Sequence, residues 1–226
     1  MKTCYMCDCV KSSYEHVPPK CFFPNKGIAG KDLKINLITV PSCDLHNTKK
    51  SGDDEYLLLF TLLNYAKNNI GERYFVLDRL SAIQRHKSLK NKVASIISNN
   101  PVPIHINNEE SIAVNVDMEK IWRSIDHITR AIFYHHYKEK LFSPLTIYPL
   151  LALLPDPRSQ TYYEKSNSHS QIVNVSHKHF SLLSRYGNNQ EIFYYQIDDS
   201  SDSFSMRICF YEGVDFLSIF KKQKAS

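Results

Sequence analysis

The spacing of hydrophobic positions divides the chain into three parts. Residues 1–52 contain only short apolar runs, of which INLITV at 35–40 is β-prone and is expected to stop at Pro41. From residue 51 onwards, apolar side chains recur every three or four positions, which predicts helices. After residue 165 the pattern becomes typical of strands.

Three helices are predicted in the middle of the chain. The first starts at Ser51 or Asp53, either of which suits an N-cap, and acidic residues follow in its first turn. The second is expected from about Glu72 to Ile97. The clearest covers residues 117–141, where isoleucines at helical spacing form one apolar face: Ile121, Ile125, Ile128 and Ile132.

Strands are predicted beyond these helices. NNPVPIHINN interrupts the helical pattern, and SIAVNVD at 111–117 is expected to be a strand. A three-stranded meander with polar turns is predicted from the segments EIFYYQID, SFSMRICFY and GVDFLSIF. His177 and His179 are expected to alternate along another strand and to share a face.

The histidines of the predicted helix at 117–141 indicate no metal site, because no two of them have the i, i+4 spacing of a helical ligand pair. These residues are His127, His135 and His136.

Charge and composition limit the binding partners and the cellular location that we expect for the protein. The formal net charge is +5, and residues 1–52 carry eight lysines against four acidic residues. Residues 79–108 contain no acidic residue. This bias fits a polyanionic partner and equally fits two solvated faces. The most apolar runs are too short to span a bilayer, and no secretory core is present, so we expect a cytoplasmic protein without membrane contact.

In that compartment six cysteines indicate metal ligands or buried thiols rather than disulfides. Cys4 and Cys7 form a C-x2-C pair, and Cys43 and His46 form a C-x2-H pair, which together make a four-ligand zinc arrangement. Chance is the alternative, and Cys9 could replace Cys4 or Cys7. A module with so few large apolar residues needs such a metal to fold. Cys21 and Cys209 are expected to be buried free thiols.

Four segments resemble the HNH, or ββα-metal, nuclease family: CYMC, EHVPPK, INLITVPSCDLHN and KKSGDDEY. The resemblance is to a bacterial branch with a His-Val-Pro-Pro-Lys element between two pairs of zinc ligands. The resemblance covers about residues 4–56. It implies an α+β fold: a zinc-stapled ββα-metal module at 1–56, then a substrate- or partner-binding region at 57–226. That region is expected to have a mostly helical middle and a C-terminal antiparallel β meander.

The resemblance also implies residue roles. His16 would be the general base, Glu15 and Asn47 the ligands of a catalytic divalent ion, and Asn36 the residue that braces the loop and orients His16. Glu15 is one methylene longer than the usual Asp, which affects its reach, and His46 replaces a usual cysteine. Oxygen ligands suit Mg²⁺ or Mn²⁺, whereas the thiolates suit structural Zn²⁺.

These roles suit phosphodiester hydrolysis, because a histidine near its ordinary pKa can accept the proton of water and a divalent ion can act as a Lewis acid. Lys20, Lys49 and Lys50 are candidate phosphate contacts. The expected function is a metal-dependent endonuclease acting on DNA, as the nuclease subunit of a phage-defence or restriction system. A regulatory or targeting subunit is the expected protein partner. The alternative is a non-catalytic zinc-binding module that recognises nucleic acid or protein.

Overall fold

The computed structural model of the protein describes residues 2–47, 50–64, 66–97, 102–106, 109–113, 116–151, 162–200 and 202–222. Its first sheet pairs β1 (Ser13–Val17) antiparallel with β2 (Ile38–Ser42). The strand begins later than INLITV suggests, because Asn36 has a left-handed backbone with a φ of 53°. It also continues through Pro41, which a two-stranded ribbon tolerates because each strand has a free edge.

The connection from β1 to β2 contains a 3₁₀ turn (Lys20–Phe22) and a short helix, α1 (Lys26–Ala29). After β2 come one helical turn, α2 (Asp44–Asn47), and the predicted first long helix, α3 (Ser51–Leu63). The chain order in this region is two strands followed by helices. The ββα-metal module that the resemblance implies stays a prediction.

The second predicted helix is divided. α4 (Asn69–Tyr74), a π-helical segment (Phe75–Arg79) and α5 (Leu80–Arg85) follow one another, and α6 (Lys87–Ile97) comes after a break. The break lies at His86, whose backbone is extended with φ −109° and ψ 112°. No glycine or proline stands near His86, so composition did not indicate a break.

A hairpin follows α6 in the chain. β3 (Val102–Ile106) pairs antiparallel with β4 (Glu109–Ala113). The strand predicted at 111–117 is therefore confirmed in its first part. Residues 102–106, which were expected only to interrupt the helical pattern, are a strand because their apolar side chains alternate.

The clearest predicted helix is confirmed as α7 (Met118–Tyr137), with the Asp117 side chain accepting a hydrogen bond from the backbone N–H of Lys120 at its start. Its four face isoleucines, at 121, 125, 128 and 132, are buried. α7 packs against α3, the β1–β2 sheet and the C-terminal sheet. It is thus the element that joins the N-terminal region to the rest of the core.

The predicted C-terminal meander is confirmed as β6 (Phe193–Asp199), β7 (Ser203–Phe210) and β8 (Val214–Lys221). The short β5 (Thr146–Pro149) adds to β8, so the strand order is β5-β8-β7-β6, all antiparallel. The fold is therefore mixed helix and strand with a C-terminal antiparallel sheet.

The strand predicted around His177 and His179 is wrong, because these residues lie in α8 (Tyr162–Phe180). The two imidazoles contact different acids, Asp215 on β8 at 3.0 Å and Asp198 on β6 at 2.9 Å. The alternation of apolar and polar residues in this segment is compatible with a strand. The polar residues that follow suit the exposed side of a helix equally well, so the pattern alone does not distinguish the two.

One main cluster of buried apolar residues extends from Cys4 to Phe220. The predicted boundary between residues 56 and 57 falls inside α3, whose buried side chains on both sides of that position belong to this cluster. Among the described helices, none has the length and apolar content needed to cross a bilayer.

Candidate metal centre and candidate active site

Four predicted zinc ligands meet at one point. The thiol sulfurs of Cys4, Cys7 and Cys43 and a ring nitrogen of His46 all lie within 4.8 Å of one another. The backbone N–H groups of His46 and Asn47 both donate to the Cys43 carbonyl at 3.0 Å, so α2 brings Cys43 and His46 to one side of a single turn. This group could hold a metal ion such as zinc.

The distances between these ligand atoms fit a tetrahedron. For Zn–S of about 2.3 Å and Zn–N of about 2.05 Å, two sulfurs lie about 3.8 Å apart and a sulfur and a nitrogen about 3.5 Å apart. The Cys7 and Cys43 sulfurs are 3.8 Å apart, and His46 Nδ1 lies 3.5, 3.6 and 3.4 Å from the sulfurs of Cys4, Cys7 and Cys43. A disulfide needs a sulfur separation of about 2.05 Å, so these spacings suit ligands of a shared ion and do not suit a disulfide.

Hydrogen bonds and burial favour the ligand forms of two of these residues. Burial raises the pKa of Cys43, but hydrogen bonds from the His46 backbone and from neighbouring thiols outweigh it and lower the pKa below its usual value. Burial lowers the pKa of His46, which keeps its imidazole neutral at neutral pH. The Lys140 ammonium donates to the Cys7 carbonyl at 2.8 Å and to the Asp8 carboxylate at 2.7 Å, which ties the cysteine turn to the end of α7.

The other cysteines lie outside this group. Cys9 is exposed, and its carbonyl accepts a hydrogen bond of 2.9 Å from the Cys4 N–H, so it shapes the turn and supplies no sulfur to the group. Cys209 is buried as predicted. Cys21 is exposed instead of buried, because its 3₁₀ turn directs the neighbouring Phe22 into the core.

The side chains of Glu15 and His16 point to opposite faces of β1, as those of neighbouring residues on a strand do. Glu15 is only 6 % exposed, whereas His16 is half-buried on the face that it shares with the exposed Tyr14. The structure therefore does not bring Glu15 and His16 onto a common face. The Val17–Pro18 peptide bond that follows is cis.

The Glu15 carboxylate lies in a buried group of charges. Its Oε1 contacts the ammonium of Lys50, which is 7 % exposed and also lies 3.2 Å from Asp54 Oδ2. Glu15 Oε2 is buried and has no hydrogen-bond partner among the described residues. Burial raises the pKa of Glu15, and the positive charge of Lys50, together with the nearby Ser42 side chain, opposes that effect.

The His16 imidazole has a similar unpaired atom. Its Nδ1 is buried and, in the part of the chain that the structure describes, has no hydrogen-bond partner. Burial lowers the pKa of His16, and the positive charge of Lys20 lowers it further. The imidazole is therefore neutral at neutral pH, the form that can accept a proton.

The two asparagines occupy different positions. Asn47 lies at the end of α2 and its amide nitrogen donates to the Ser13 hydroxyl at 2.8 Å. Ser13 precedes Glu15 by two residues and shares its strand face, so Asn47 and Glu15 lie on one side of β1. Asn36 is exposed at the left-handed position before β2, and its carbonyl accepts a hydrogen bond of 2.7 Å from Asn188.

The three candidate phosphate contacts also differ. Lys20 is exposed in the turn after His16. Lys50, predicted as a phosphate contact, is buried between two carboxylates and is not exposed to a nucleic-acid phosphate. Lys49 lies outside the described residues.

Sequence reasoning missed three neighbours of the site, namely Asp54, Tyr5 and His127. Lys50 and Asp54 form an i, i+4 pair, and that spacing could have indicated their contact. His127 of α7 lies against the metal group, with ring centroids 5.8 Å from His46, and Tyr5 contacts its Nδ1 at 3.3 Å. Burial and the charge of Lys50 lower the pKa of His127 to about 4. Nothing local in the sequence indicated this contact, because 122 positions separate Tyr5 from His127.

Comparison of the chain with protein-family models, with curated proteins and with solved structures gave no match.

Proposed function

We propose that the protein is a metal-dependent HNH-type endonuclease that hydrolyses phosphodiester bonds in DNA. The observation that carries this proposal is a pair of unpaired buried atoms on adjacent residues, Glu15 Oε2 and His16 Nδ1. Buried polar atoms nearly always have partners, and exceptions are explained by catalysis or by an ion or water that completes the site. A carboxylate oxygen and a neutral imidazole are the two groups that the resemblance assigns to ion binding and to proton transfer.

The residues present fit a hard divalent ion beside Glu15. Its free oxygen and the Asn47 side chain lie on the same side of β1, and both offer oxygen ligands of the kind that Mg²⁺ and Mn²⁺ prefer. Such an ion supplies Lewis-acid chemistry at the phosphate. His16 accepts the proton of the attacking water, and the lowered pKa keeps it ready to do so at neutral pH.

A zinc ion in the Cys4, Cys7, Cys43 and His46 group would hold the segment before β1 to the helical turn after β2. Exposed Lys20 offers a sequence-independent contact to a nucleic-acid phosphate. We further propose a cytoplasmic location, where six unpaired cysteines are stable. A regulatory or targeting subunit, as in phage-defence or restriction systems, would bind the region after residue 56.

One experiment tests the catalytic proposal. Zinc-loaded wild type, His16→Ala and the control His86→Ala, an exposed histidine between α5 and α6, are incubated with duplex DNA, single-stranded DNA and RNA in Mg²⁺, in Mn²⁺ and in chelator. Loss of general-base catalysis lowers the cleavage rate of His16→Ala by about 100-fold or more, with unchanged zinc content and with His86→Ala unaffected. Cleavage by His16→Ala at the wild-type rate would overturn the assignment.

The second candidate is a non-catalytic zinc-binding module that recognises nucleic acid or protein. Two observations favour it: Glu15 already has a cationic partner in Lys50, and Glu15 and His16 leave β1 on opposite faces. Under this alternative the wild-type protein binds nucleic acid or a protein partner, and no divalent ion produces cleavage.

A further inference from the structure

The ammonium of Lys50 is enclosed by opposite charges in the protein interior. It contacts Glu15 Oε1 and lies 3.2 Å and 3.4 Å from the two carboxylate oxygens of Asp54. All three side chains are more than nine-tenths buried, with residue exposures of 7 %, 6 % and 6 % for Lys50, Glu15 and Asp54. Two carboxylates and one ammonium leave this group one positive charge short of neutrality when all three are ionised.

The second oxygen of Glu15 shows where an additional positive charge would bind. Glu15 Oε2 is buried and has no hydrogen-bond partner within the described residues, although a buried carboxylate is normally satisfied by donors or by a cation. It lies on the β1 face shared with Ser13, whose hydroxyl is bonded to Asn47. The unpaired oxygen therefore belongs to the same side of the strand as the other candidate ion ligand.

A divalent ion bound by Glu15 and the Lys50 ammonium bound by Glu15 would be two cations on one carboxylate. At such separations in a protein interior, like charges repel strongly. Asp54 offers Lys50 an alternative partner one helical turn along α3, so the ammonium can leave Glu15 without leaving all of its negative neighbours.

We propose that Lys50 is an internal competitor of the catalytic divalent ion: its ammonium holds Glu15 when no ion is bound and moves towards Asp54 when an ion binds. This inference rests on the proposed function, because it concerns the ion site of the nuclease. As a consequence, the concentration of divalent ion needed to fill the site is higher than it would be without Lys50. The site binds its ion only when the ion concentration is high enough to displace Lys50.

The test measures ion binding directly and not cleavage. Binding of Mn²⁺ to the zinc-loaded full chain is followed by electron paramagnetic resonance of the free ion, for wild type, Lys50→Met and the control Lys26→Met, at an exposed lysine of α1. Removal of the competing charge tightens Mn²⁺ binding by about tenfold or more in Lys50→Met, whereas Lys26→Met leaves it unchanged. Adding Glu15→Gln to Lys50→Met abolishes the tight binding, because the carboxylate is the shared ligand.

Lys50→Met leaves two buried carboxylates without a counter-charge and can fail to fold. The companion variant, Lys50→Met with Asp54→Asn, removes one of those charges and keeps Glu15, so it carries the same prediction. Mn²⁺ affinity equal to or weaker than wild type in the folded variants would overturn the inference. Tight Glu15-dependent binding without cleavage of any nucleic acid would keep the inference and reject the nuclease, whereas cleavage with unaltered Mn²⁺ affinity would do the reverse.

Discussion

The side-chain amide of Asn188 donates a hydrogen bond of 2.7 Å to the backbone carbonyl of Asn36, across 152 positions of sequence. The neighbouring Asn189 donates to the Leu33 carbonyl at 2.9 Å, and Glu191 forms an ion pair with Lys31. The turn between α8 and β6 therefore holds the segment that leads into β2. The connection that follows His16 is held as well, because Tyr211 donates its hydroxyl to the Phe22 carbonyl.

We expect the double variant Asn188→Ala, Asn189→Ala to loosen the connection between β1 and β2. Trypsin should then cleave after Lys26, Lys31 and Lys34 several times faster than in wild type, because these bonds hold the connection closed. Gln190→Ala is the matched control, since Gln190 lies in the same turn and donates instead to the Arg185 carbonyl. Equal acceleration by Gln190→Ala would show that the turn as a whole, and not the two amides, fixes the connection.

If the proposed site is correct, cleavage of nucleic acid by the same double variant, Asn188→Ala with Asn189→Ala, should fall by about tenfold, because the Asn36 segment is misplaced.

Loss of one sulfur should release the metal from the Cys4, Cys7, Cys43 and His46 group. Cys43→Ser should retain far less zinc than the wild type, for which we expect about one ion per chain. The N-terminal region of the variant should unfold, because we expect metal binding to supply its folding free energy. Elemental analysis and thermal denaturation provide the measurements. Cys9→Ser is the control, because Cys9 is exposed and lies outside the group, and it should keep both zinc and stability.

If the protein is the proposed nuclease, with His16 as its base, the pH dependence of its cleavage should depend on Lys20. Burial and the charge of Lys20 both lower the pKa of His16, so the base stays neutral to a lower pH than an ordinary histidine. In Lys20→Gln the imidazolium loses a repulsive neighbour and the pKa rises. The acid limb of the pH–rate profile should therefore shift to higher pH. Lys26→Gln changes the same charge at an exposed position of the same connection and should leave the limb in place; an equal shift in both variants would indicate a general charge effect.

Asp215 should be a stability residue of the C-terminal half. Its Oδ2 accepts hydrogen bonds from Arg207 at 2.7 and 2.6 Å and contacts the His177 ring at 3.0 Å. Asp215→Ala leaves the buried Arg207 without its carboxylate and should lower the free energy of unfolding by about 3–5 kcal/mol. Asp198→Ala removes the exposed pair with His179 and should cost at most about 1 kcal/mol. Urea denaturation distinguishes the two, and similar losses would contradict the role given to Asp215.

Local patterns predicted the metal group well. The spacing of Cys4 with Cys7 and of Cys43 with His46 already defines two pairs on tight turns, and only their meeting in space remained to be seen. α7 was equally predictable, because its isoleucines repeat at helical spacing over the whole length of the helix.

Features that depend on distant residues were not predictable in this way. The extended backbone at His86 divides a helix whose sequence contains no breaker. The burial of Lys50 results from Glu15, which lies 35 positions earlier and is paired with it only after β1 and α3 have packed together. Alternation around His177 and His179 resembled a strand, and only the packing of α8 against the sheet reveals the helix.

The position of α7 also limits how the candidate site could be transplanted into another protein. A fragment ending at residue 56 would carry the metal ligands and His16, but it would cut α3 and leave the buried face of β1 and β2 without the helix that covers it. A portable form would need α7 joined to residues 2–64 by a designed linker, together with replacements for the contacts that Tyr211 and Asn188 supply. Grafting this site therefore means moving a discontinuous piece of the chain.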